Sequence, residues 1–482
     1  MEHPEPEVRS GGIVAVLAVA GIVAALMQTL VVPLIGDLPR ILDTNASNAS
    51  WVITVTLLVG AVATPVTGRL GDLLGKRRML LFCAFPLVAG SVLCALASSL
   101  VPMIVGRGLQ GLGMGMVPLG ISALRELVPP RKLGSSIALM SATMGIGGAL
   151  GLPIAAAVIE NTSWRALFWG CAVLSVLIGL LIWRLIPATP AMAPEGRFDF
   201  VGAAGLGVGL VCLLLAVSKG GTWGWGSSTT LGLFAAAVVV LVAWGWWELR
   251  TRDPLVNLRL AAGRQVLFTN AASVVVGFSM YAQSLIVPQL MQLPESTGYG
   301  LGQSMLAMGL WMAPGGFVMM AVSPIGAKLS AVRGPKVTLF VGALIIALGY
   351  GSSMFLMGST WGLMLVVCIC STGTGFAYGT MPALIMSAVP PSETGSANSF
   401  NTLMRSVGTS VAAAVVGVVL AQMSFDAGGG HTLPTEAGFR TGLLIGCGVA
   451  LVAALIALAI PGRSPATIRV EEDDIETAPA RV

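Results

Sequence analysis

Long apolar segments, separated by short polar ones, cover almost the whole chain. Fourteen of them reach the length of about twenty residues that a helix needs to cross a bilayer. Lipid offers no partners for exposed backbone groups and no alternation typical of a barrel is present, so all fourteen are predicted to be helices. The predicted spans are 13–35, 51–71, 79–98, 102–124, 135–159, 165–187, 200–217, 229–249, 267–290, 303–325, 337–357, 360–385, 398–421 and 439–460.

Composition supports this pattern. Of the 482 residues, 55% are hydrophobic and 10% are charged, whereas soluble domains carry roughly 25% charged residues. Too few charges are present to cover a water-exposed surface, which predicts an all-α polytopic membrane protein. The acidic start "MEHPEPEVRSGG" precedes an apolar run too long for a cleaved signal, so the first span is predicted to be retained.

Basic residues concentrate in alternate connections and predict the orientation. Only Arg40, Arg165, Lys219 and Arg440 lie on the sparse side. By the positive-inside rule the basic side is cytoplasmic, so both termini are predicted to be cytoplasmic. The protein itself is predicted to lie in the cell membrane. The basic side carries Lys76, Arg77, Arg78, Arg131, Lys132, Arg184, Arg197, Arg250, Arg252, Arg259, Arg264, Lys328, Arg333 and Lys336.

The chain repeats itself internally. "PVTGRLGDLLGKRRML" at 65–80 matches "PIGAKLSAVRGPKVTL" at 324–339, and "LVPPRKLGSS" at 127–136 matches "AVPPSETGSA" at 388–397, with offsets of 259 and 261. The repeat predicts two homologous six-helix halves with a substrate site between them near the midplane. The predicted units are a cytoplasmic N-terminus 1–12, a first half 13–187, two inserted helices with their linkers 188–266, a second half 267–460 and an acidic cytoplasmic tail 461–482.

Several motifs together resemble the fourteen-span drug:proton antiporters of the major facilitator superfamily. They are "GRLGDLLGKRR" (68–78), "GRGLQGLGMG" (106–115), "GIGGALGLP" (145–153), "WRALF" (164–168), "GGTWGWGS" (220–227) and "DPLVNLRL" (253–260). The resemblance covers nearly the whole chain. It implies the major facilitator fold of two pseudo-repeat halves, here with two inserted helices, and a bacterial multidrug exporter without enzymatic activity.

The stretch "GRLGDLLGKRR" is predicted to form a tight cytoplasmic turn between spans 2 and 3. Its basic residues orient the protein, but acids contribute little to orientation. Asp72 is therefore either a cap of the turn or a gate residue that binds a neighbouring helix N-terminus or a basic side chain. The resemblance implies a gate that holds the two halves together. The repeat places Ala331 opposite Asp72, which predicts a one-sided gate, and the gate candidates are Gly68, Arg69, Asp72, Gly75, Lys76 and Arg77.

Two further motifs lie inside spans 4 and 5. Arg107 either reaches the membrane surface or faces the central cavity bonded to Gln110 or to backbone, where it would tune proton traffic. The glycines of span 5 are spaced for close helix packing. By resemblance Gly147, Gly151 and Pro153 mark exporters rather than uptake systems.

An acidic residue inside a span is missing. Proton antiport needs a group that exchanges a proton, yet span 1 carries Gln28 at its middle and none of the 21 acids lies at the centre of a span. Either Asp37 or Glu160 lies in a water-filled vestibule, or the substrate's own charge supplies the coupling. Proton coupling is implied by the resemblance alone.

Spans 1, 2, 4 and 5 and their second-half equivalents are expected to line the substrate cavity. Arg405 lies about a turn and a half inside the predicted end of span 13. It either meets an anionic substrate or a carboxylate, or reaches the membrane surface. Methionine and aromatic side chains suit adaptable recognition of apolar molecules. The cavity candidates are Met27, Gln28, Trp51, Met114, Asn270, Met280, Tyr281, Gln283, Trp311, Tyr378, Asn401 and Arg405, with Asn398 beside them.

The function predicted from these observations is export of hydrophobic or cationic small molecules, such as drugs and antibiotics, by alternating access in exchange for protons. The alternatives are a dedicated exporter of one metabolite (antibiotic, amino acid or lipid) and a non-transporting membrane sensor or scaffold. No phosphate loop, nucleophile set or metal-ligand spacing is present, so no enzyme, cofactor, metal site or nucleic-acid partner is expected. The seven cysteines lie in apolar runs and the two histidines, His3 and His431, in polar segments. A monomer in the lipid bilayer is expected.

Overall fold

The computed structural model describes residues 6–34, 37–44, 46–188, 190–192, 196–426 and 432–461. Fourteen helices in this part of the chain are long and apolar enough to span a membrane. His3, His431 and almost all of the acidic tail lie outside the described residues. The spans, numbered 1 to 14, are Pro6–Thr29, Trp51–Leu74, Lys76–Leu96, Leu100–Leu127, Pro130–Asn161, Trp164–Leu185, Phe200–Trp223, Ser228–Arg250, Arg264–Gln292, Met305–Arg333, Pro335–Leu356, Thr360–Ala388, Thr394–Gln422 and Glu436–Ala459.

The number and order of spans are as predicted, but several bounds differ by four to eight residues. Span 1 ends at Thr29, not at residue 35, and a 3₁₀ turn, Val32–Leu34, follows it. Span 10 continues as helix to Arg333, so it includes a polar end on the basic side that lies beyond the apolar run. Span 13 begins at Thr394 rather than at residue 398. Hydropathy alone does not detect polar helix ends, which need partners for their terminal amides.

Short elements lie in the connections. Span 4 is interrupted by a 3₁₀ turn, Gly113–Gly115, between the helices Leu100–Leu112 and Met116–Leu127. A small antiparallel hairpin between spans 13 and 14 was not predicted. It pairs Ser424–Asp426 with Thr432–Pro434. The remaining pieces are the helices Leu38–Ile41, Ala46–Ala49 and Leu258–Ala261 and the 3₁₀ turns Glu295–Thr297 and Pro391–Glu393.

The buried apolar residues divide between the two halves. One large cluster is built almost wholly from spans 1 to 6, with residues such as Leu17, Leu80 and Leu124. Two further clusters are built from spans 9 to 14, around residues such as Ile286 and Leu339. Each half thus has its own core, which allows the halves to move as separate bodies.

Span 7 packs across the seam between the halves. Its Leu206, Leu210 and Leu214 share a cluster with Ala61 of span 2 and Leu403 of span 13. Span 8 packs against span 7, and its outer face is apolar and exposed, as expected of a lipid-facing helix. The inserted pair therefore covers one side of the interface between the halves.

Span 5 crosses spans 1 and 10 closely. A Cβ at Gly147 would lie 2.6 Å from the carbonyl of Ile22, and one at Gly316 would lie 2.5 Å from the carbonyl of Gly145. Gly151 lies against Thr29 and Pro153 against Gly309. Small residues at these crossings let the backbones approach, which is how helices gain packing energy in lipid.

Candidate functional site

Asp72, the last acid of span 2, joins the two halves at the basic side. Its carboxylate accepts hydrogen bonds from the backbone amides of Gly395 (3.0 Å) and Ser396 (2.8 Å) in the first turn of span 13. It also forms an ion pair with Lys76. Asp72 is fully buried, and a negative charge at a helix N-terminus is favourable because the free amides and the helix dipole are positive there.

Two arginines add bridges beside this contact. Arg69 of span 2 lies 3.7 Å from the carboxylate of Glu393, just before span 13. Arg125 of span 4 donates to the hydroxyl of Thr394 (2.8 Å) and to the carbonyl of Val389 (3.2 Å). Together with Asp72, Lys76, Gly395 and Ser396 these residues form what we call the latch.

Glycines allow the latch to close. A Cβ at Gly68 would lie 2.5 Å from the carbonyl of Gly395, and a Cβ at Gly395 would lie 2.7 Å from the carboxylate of Asp72. Any larger residue would push spans 2 and 13 apart. Gly75 turns the chain into span 3 with φ of 94°, a conformation that favours glycine.

Arg77 lies outside the latch, although it was expected to belong to the gate. It donates a hydrogen bond to the carbonyl of Trp183 at the end of span 6, in the same half. A cation at a helix C-terminus satisfies carbonyls that have no partner in the helix. Arg77 therefore holds spans 3 and 6 together and does not bridge the halves.

The latch has no counterpart at the repeat-related position. The repeat aligns Gly395 with Gly134 at the start of span 5, and Asp72 with Ala331 at the end of span 10. A Cβ at Gly134 would have no atom within 4 Å. Since alanine has no group to bind amides, only one of the two symmetry-related seams carries such a contact.

The inserted pair also contacts the latch. The loop after span 8 is held by Glu248, whose carboxylate accepts from the amide of Val256 at 3.4 Å. The hydroxyl of Ser396 donates to the carbonyl of Leu255 in the same loop at 2.8 Å. Because the amide of Ser396 binds Asp72, this one residue links the loop of the inserted pair to span 2.

Arg107 is buried and does not reach the membrane surface. It donates to the side chain of Gln110 (2.6 Å) and to the carbonyls of Met27 (3.0 Å) and Val52 (3.1 Å). Gln110 in turn donates to Ser91 at 2.8 Å. The guanidinium thus ties together the backbones of spans 1, 2 and 4 next to the break in span 4. Its proposed effect on proton traffic stays a prediction.

A polar pocket lies between the halves, farther from the basic side than the latch. Arg405 is 6% exposed, and its guanidinium carbon lies 4.4 Å from the centre of the Tyr378 ring. It also donates to Thr402 at 3.3 Å. The pocket has room for about one water molecule in this conformation. Its lining is Pro118, Ile121, Ser141, Met144, Tyr378, Pro382, Asn398, Thr402 and Arg405.

The other cavity candidates do not meet in one place. Tyr378 donates to the sulfur of Met280 at 3.0 Å, next to this pocket. Asn401 donates to Asn270 at 2.9 Å and so joins spans 13 and 9. The remaining candidates lie apart from this pocket and from one another. Met27, Gln28 and Met114 lie in the first half, and Tyr281 and Gln283 lie in span 9. Trp51 packs against Lys219 of span 7, and Trp311 packs against the exposed Trp361.

Neither candidate acid for proton exchange lies inside the bundle. Asp37 is exposed and pairs with Arg40 at 3.3 Å. Glu160 is exposed at the end of span 5. No group of three or more metal-binding side chains occurs in the part of the chain that the structure describes. Which residue carries a coupled proton stays a prediction.

Sequence reasoning missed most partners in these sites. Glu393, Gly395 and Ser396 lie in the repeat match 388–397, and that match was the available signal. Ser141 and Arg125 gave no such signal, because single polar residues near span ends are common.

The comparisons with known proteins identify the family of the chain. The family model of the Major Facilitator Superfamily matches residues 17–413. An uncharacterised MFS-type transporter of Mycobacterium tuberculosis is 30% identical over 86% of this chain and 60% of its own length. Multidrug resistance protein 3 of Bacillus subtilis is 26% identical over 83% of this chain and 77% of its own. The tetracenomycin C resistance and export protein of Streptomyces glaucescens is 28% identical over 85% of this chain and 76% of its own.

A solved structure has the same fold. The human organic anion transporter MFSD10 superposes with a TM-score of 0.66 at 16% identity, covering 95% of this chain and all of that one. The chain belongs to the major facilitator superfamily, and the part that the structure describes has fourteen helices long and apolar enough to span a membrane. It spans 60% of the length of the Mycobacterium relative.

Proposed function

We propose that this transporter exports hydrophobic small molecules from the cytoplasm across the cell membrane by alternating access, in exchange for protons. The latch is the observation that carries the proposal. It closes the interface between the halves at the basic side, which the positive-inside rule makes cytoplasmic. A protein latched there is closed on that side, which is one of the two states that alternating access requires.

The energetics of the latch suit a switch. Asp72 accepts from two amides and pairs with Lys76, and all of these groups are buried. Opening breaks these bonds but leaves Asp72 and Lys76 paired, since both belong to the first half. The latch is therefore strong enough to hold one state and still reversible, as alternating access requires.

Two relatives favour export over uptake. The Bacillus subtilis relative is named a multidrug resistance protein, and the Streptomyces relative a tetracenomycin C resistance and export protein. The second name also supports the alternative of an exporter dedicated to one metabolite. We further propose that both termini are cytoplasmic and that the protein works as a monomer.

The test is transport by the purified protein in liposomes. With an imposed pH gradient, vesicles should move a fluorescent hydrophobic dye, and dye movement should dissipate the gradient. If folded protein moves none of a broad panel of dyes, the export proposal fails and a sensor or scaffold becomes the better interpretation. Dye movement that leaves the pH gradient unchanged would overturn proton coupling alone.

A further inference from the structure

We propose that the pocket around Arg405 binds an anionic group of the exported substrate, such as a carboxylate or a phenolate on an apolar body. This inference rests on the proposed function and narrows its substrate class. The expectation of cationic substrates gains no support from the pocket, because no Asp or Glu lines it. A cationic group there would face Arg405 without a compensating acid.

Arg405 is too deep to serve as a surface anchor. It lies eleven positions after Thr394, the first residue of span 13. At 1.5 Å per residue this is ~16 Å along the helix axis, about the middle of a bilayer. The sequence had placed it a turn and a half inside the span, but the helix begins four residues earlier because Asp72 satisfies its first amides.

The charge of Arg405 has no counter-ion among the residues that the structure describes. In the part of the chain that the structure describes, no carboxylate lies within ion-pair distance of it. Among the described residues, its polar contacts are the ring and phenol of Tyr378 and the hydroxyl of Thr402 at 3.3 Å. These contacts stabilise a buried guanidinium only weakly. Charged residues inside membrane proteins ordinarily pair with an opposite charge or mark a binding path.

Two neutral side chains in the same pocket also have free hydrogen-bonding groups. Asn398 is 3% exposed and Ser141 is 2% exposed, and neither amide atom of Asn398 nor the hydroxyl of Ser141 has a hydrogen-bond partner among the described residues. Buried polar groups without partners are uncommon and costly. Since Ser141 belongs to the first half and Asn398 to the second, a group bound between them contacts both halves.

The chemistry of these three residues matches an anionic oxygen. Arg405 offers a charged fork of donors, and Asn398 and Ser141 each add a neutral donor. Asn398, Thr402 and Arg405 follow one another at spacings of four and three along span 13, so they share one face of the helix. Met144 and Ile121 add apolar walls for the body of the ligand.

A matched pair of dyes tests the inference. Fluorescein is anionic and rhodamine 123 is cationic, and both are built on the same xanthene ring system. Binding of each dye to the protein in lipid nanodiscs is measured by fluorescence anisotropy at pH 7.4. Efflux from liposomes is measured by filtration followed by lysis at one fixed pH, so that the dye signal does not depend on the gradient.

We expect Arg405→Gln to weaken fluorescein binding at least about tenfold, because a charged hydrogen-bond donor is lost. Rhodamine 123 should bind no worse. Arg405→Lys should restore part of the fluorescein affinity, which shows that charge and not shape is required. Asn398→Ala and Ser141→Ala should each weaken fluorescein binding by a smaller factor. Arg440→Gln, at an exposed arginine paired with Glu436, is the matched control and should change nothing.

The possible outcomes distinguish a failure of the anionic site from a failure of the proposed export function. Export of rhodamine 123 without export of fluorescein leaves the export proposal standing and overturns the anionic site. An equal loss for both dyes in Arg405→Gln, with elution as a folded monodisperse protein, assigns Arg405 to packing and also overturns it. Transport of neither dye by the wild-type protein counts against export itself. If an anionic phospholipid in the nanodisc competes with fluorescein in proportion to its content, the bound anion is a lipid headgroup and not a substrate.

Discussion

The carboxylate of Asp72 accepts a 2.8 Å hydrogen bond from the backbone amide of Ser396, which lies 324 positions later in the chain. This single bond joins the end of span 2 to the start of span 13. Ser396 also connects the latch to the inserted helices, because its hydroxyl donates a hydrogen bond to the carbonyl of Leu255 in the loop that follows span 8. A helix pair absent from the repeat therefore takes part in the contact that joins spans 2 and 13.

Asp72→Asn should reduce transport about tenfold while insertion stays normal. The amide keeps one acceptor but loses the charge that binds two backbone amides and Lys76. Flux in liposomes, normalised to folded protein, measures the effect. Asp37→Asn, at an exposed acid, is the control and should transport normally. Wild-type flux in Asp72→Asn would show that the latch does not limit the cycle.

Gly395→Ala and Gly134→Ala form a matched pair, because the repeat aligns the two positions. A Cβ at Gly395 would lie 2.7 Å from the Asp72 carboxylate, from the Gly68 carbonyl and from the Lys76 amine, whereas one at Gly134 meets nothing within 4 Å. Gly395→Ala should hold the basic side open and lower flux strongly. Gly134→Ala should leave flux unchanged, with a slight gain in helix stability. Equal behaviour of the two variants would contradict a one-sided latch.

Ser396→Ala tests the link to the inserted helices. The variant loses the hydroxyl bond to Leu255 but keeps the amide that binds Asp72. We expect the basic side to open more often, by a factor of about two to ten, the equivalent of one hydrogen bond. Spin labels at exposed Leu74 and Pro391 in a cysteine-free background report the distance between spans 2 and 13.

Ser135→Ala is the control for that experiment. Ser135 is the repeat counterpart of Ser396, and its hydroxyl bonds only to Lys132 on its own helix. It should leave the distance distribution unchanged. An unaltered distribution in Ser396→Ala as well would mean that the inserted pair rests beside the latch without stabilising it.

Arg107→Ala should destabilise the protein more than it affects binding. It removes three hydrogen bonds and takes away the Arg107 donor from the buried carbonyl of Met27 and from the side-chain oxygen of Gln110, whereas the carbonyl of Val52 still accepts from Thr56. Each such group costs about 1–3 kcal/mol, so the midpoint of thermal aggregation should fall by several degrees. Arg165→Ala, at a largely exposed arginine, is the reference. Unchanged stability with altered pH dependence of transport would favour a role in proton traffic instead.

The voltage dependence of transport should reveal the charge of the substrate. Exchange of an anion for a proton moves at least two positive charges inward per cycle, whereas exchange of a monovalent cation for one proton moves none. Each charge is worth about 2.3 kcal/mol per 100 mV. An inside-negative potential should therefore accelerate fluorescein export strongly and leave rhodamine 123 export nearly constant. Insensitivity of both dyes to potential would contradict anion–proton exchange.

Much of the fold was predictable from the sequence. Fourteen spans follow from apolar runs, because the bilayer demands length and excludes charge. The two halves follow from the repeats. The early start of span 13 was missed because the amides of its polar first turn are bound by Asp72 from the other half, and hydropathy cannot register such a partner.

The candidate site was predictable only in part. Asp72 stood out because its charge served no purpose in orientation, and Arg405 because a span rarely carries a charge. Arg77 looked equally gate-like in sequence, yet it binds the end of span 6. Asn398 was named beside Arg405 from the sequence, but Ser141 gave no usable signal, since a serine in a span is significant only when its neighbours are known.

The sequence by itself determined that the chain is a polytopic membrane protein with an internal repeat, because apolar length, charge placement and repeats are properties of a linear string. Only the tertiary structure decided which charges meet: Asp72 with the start of span 13, and Arg405 with no acid in the described part of the chain. The physical reason is that hydrogen bonds and ion pairs act over a few ångströms. Whether a buried charge is satisfied or left for a substrate therefore depends on contacts between residues that are hundreds of positions apart.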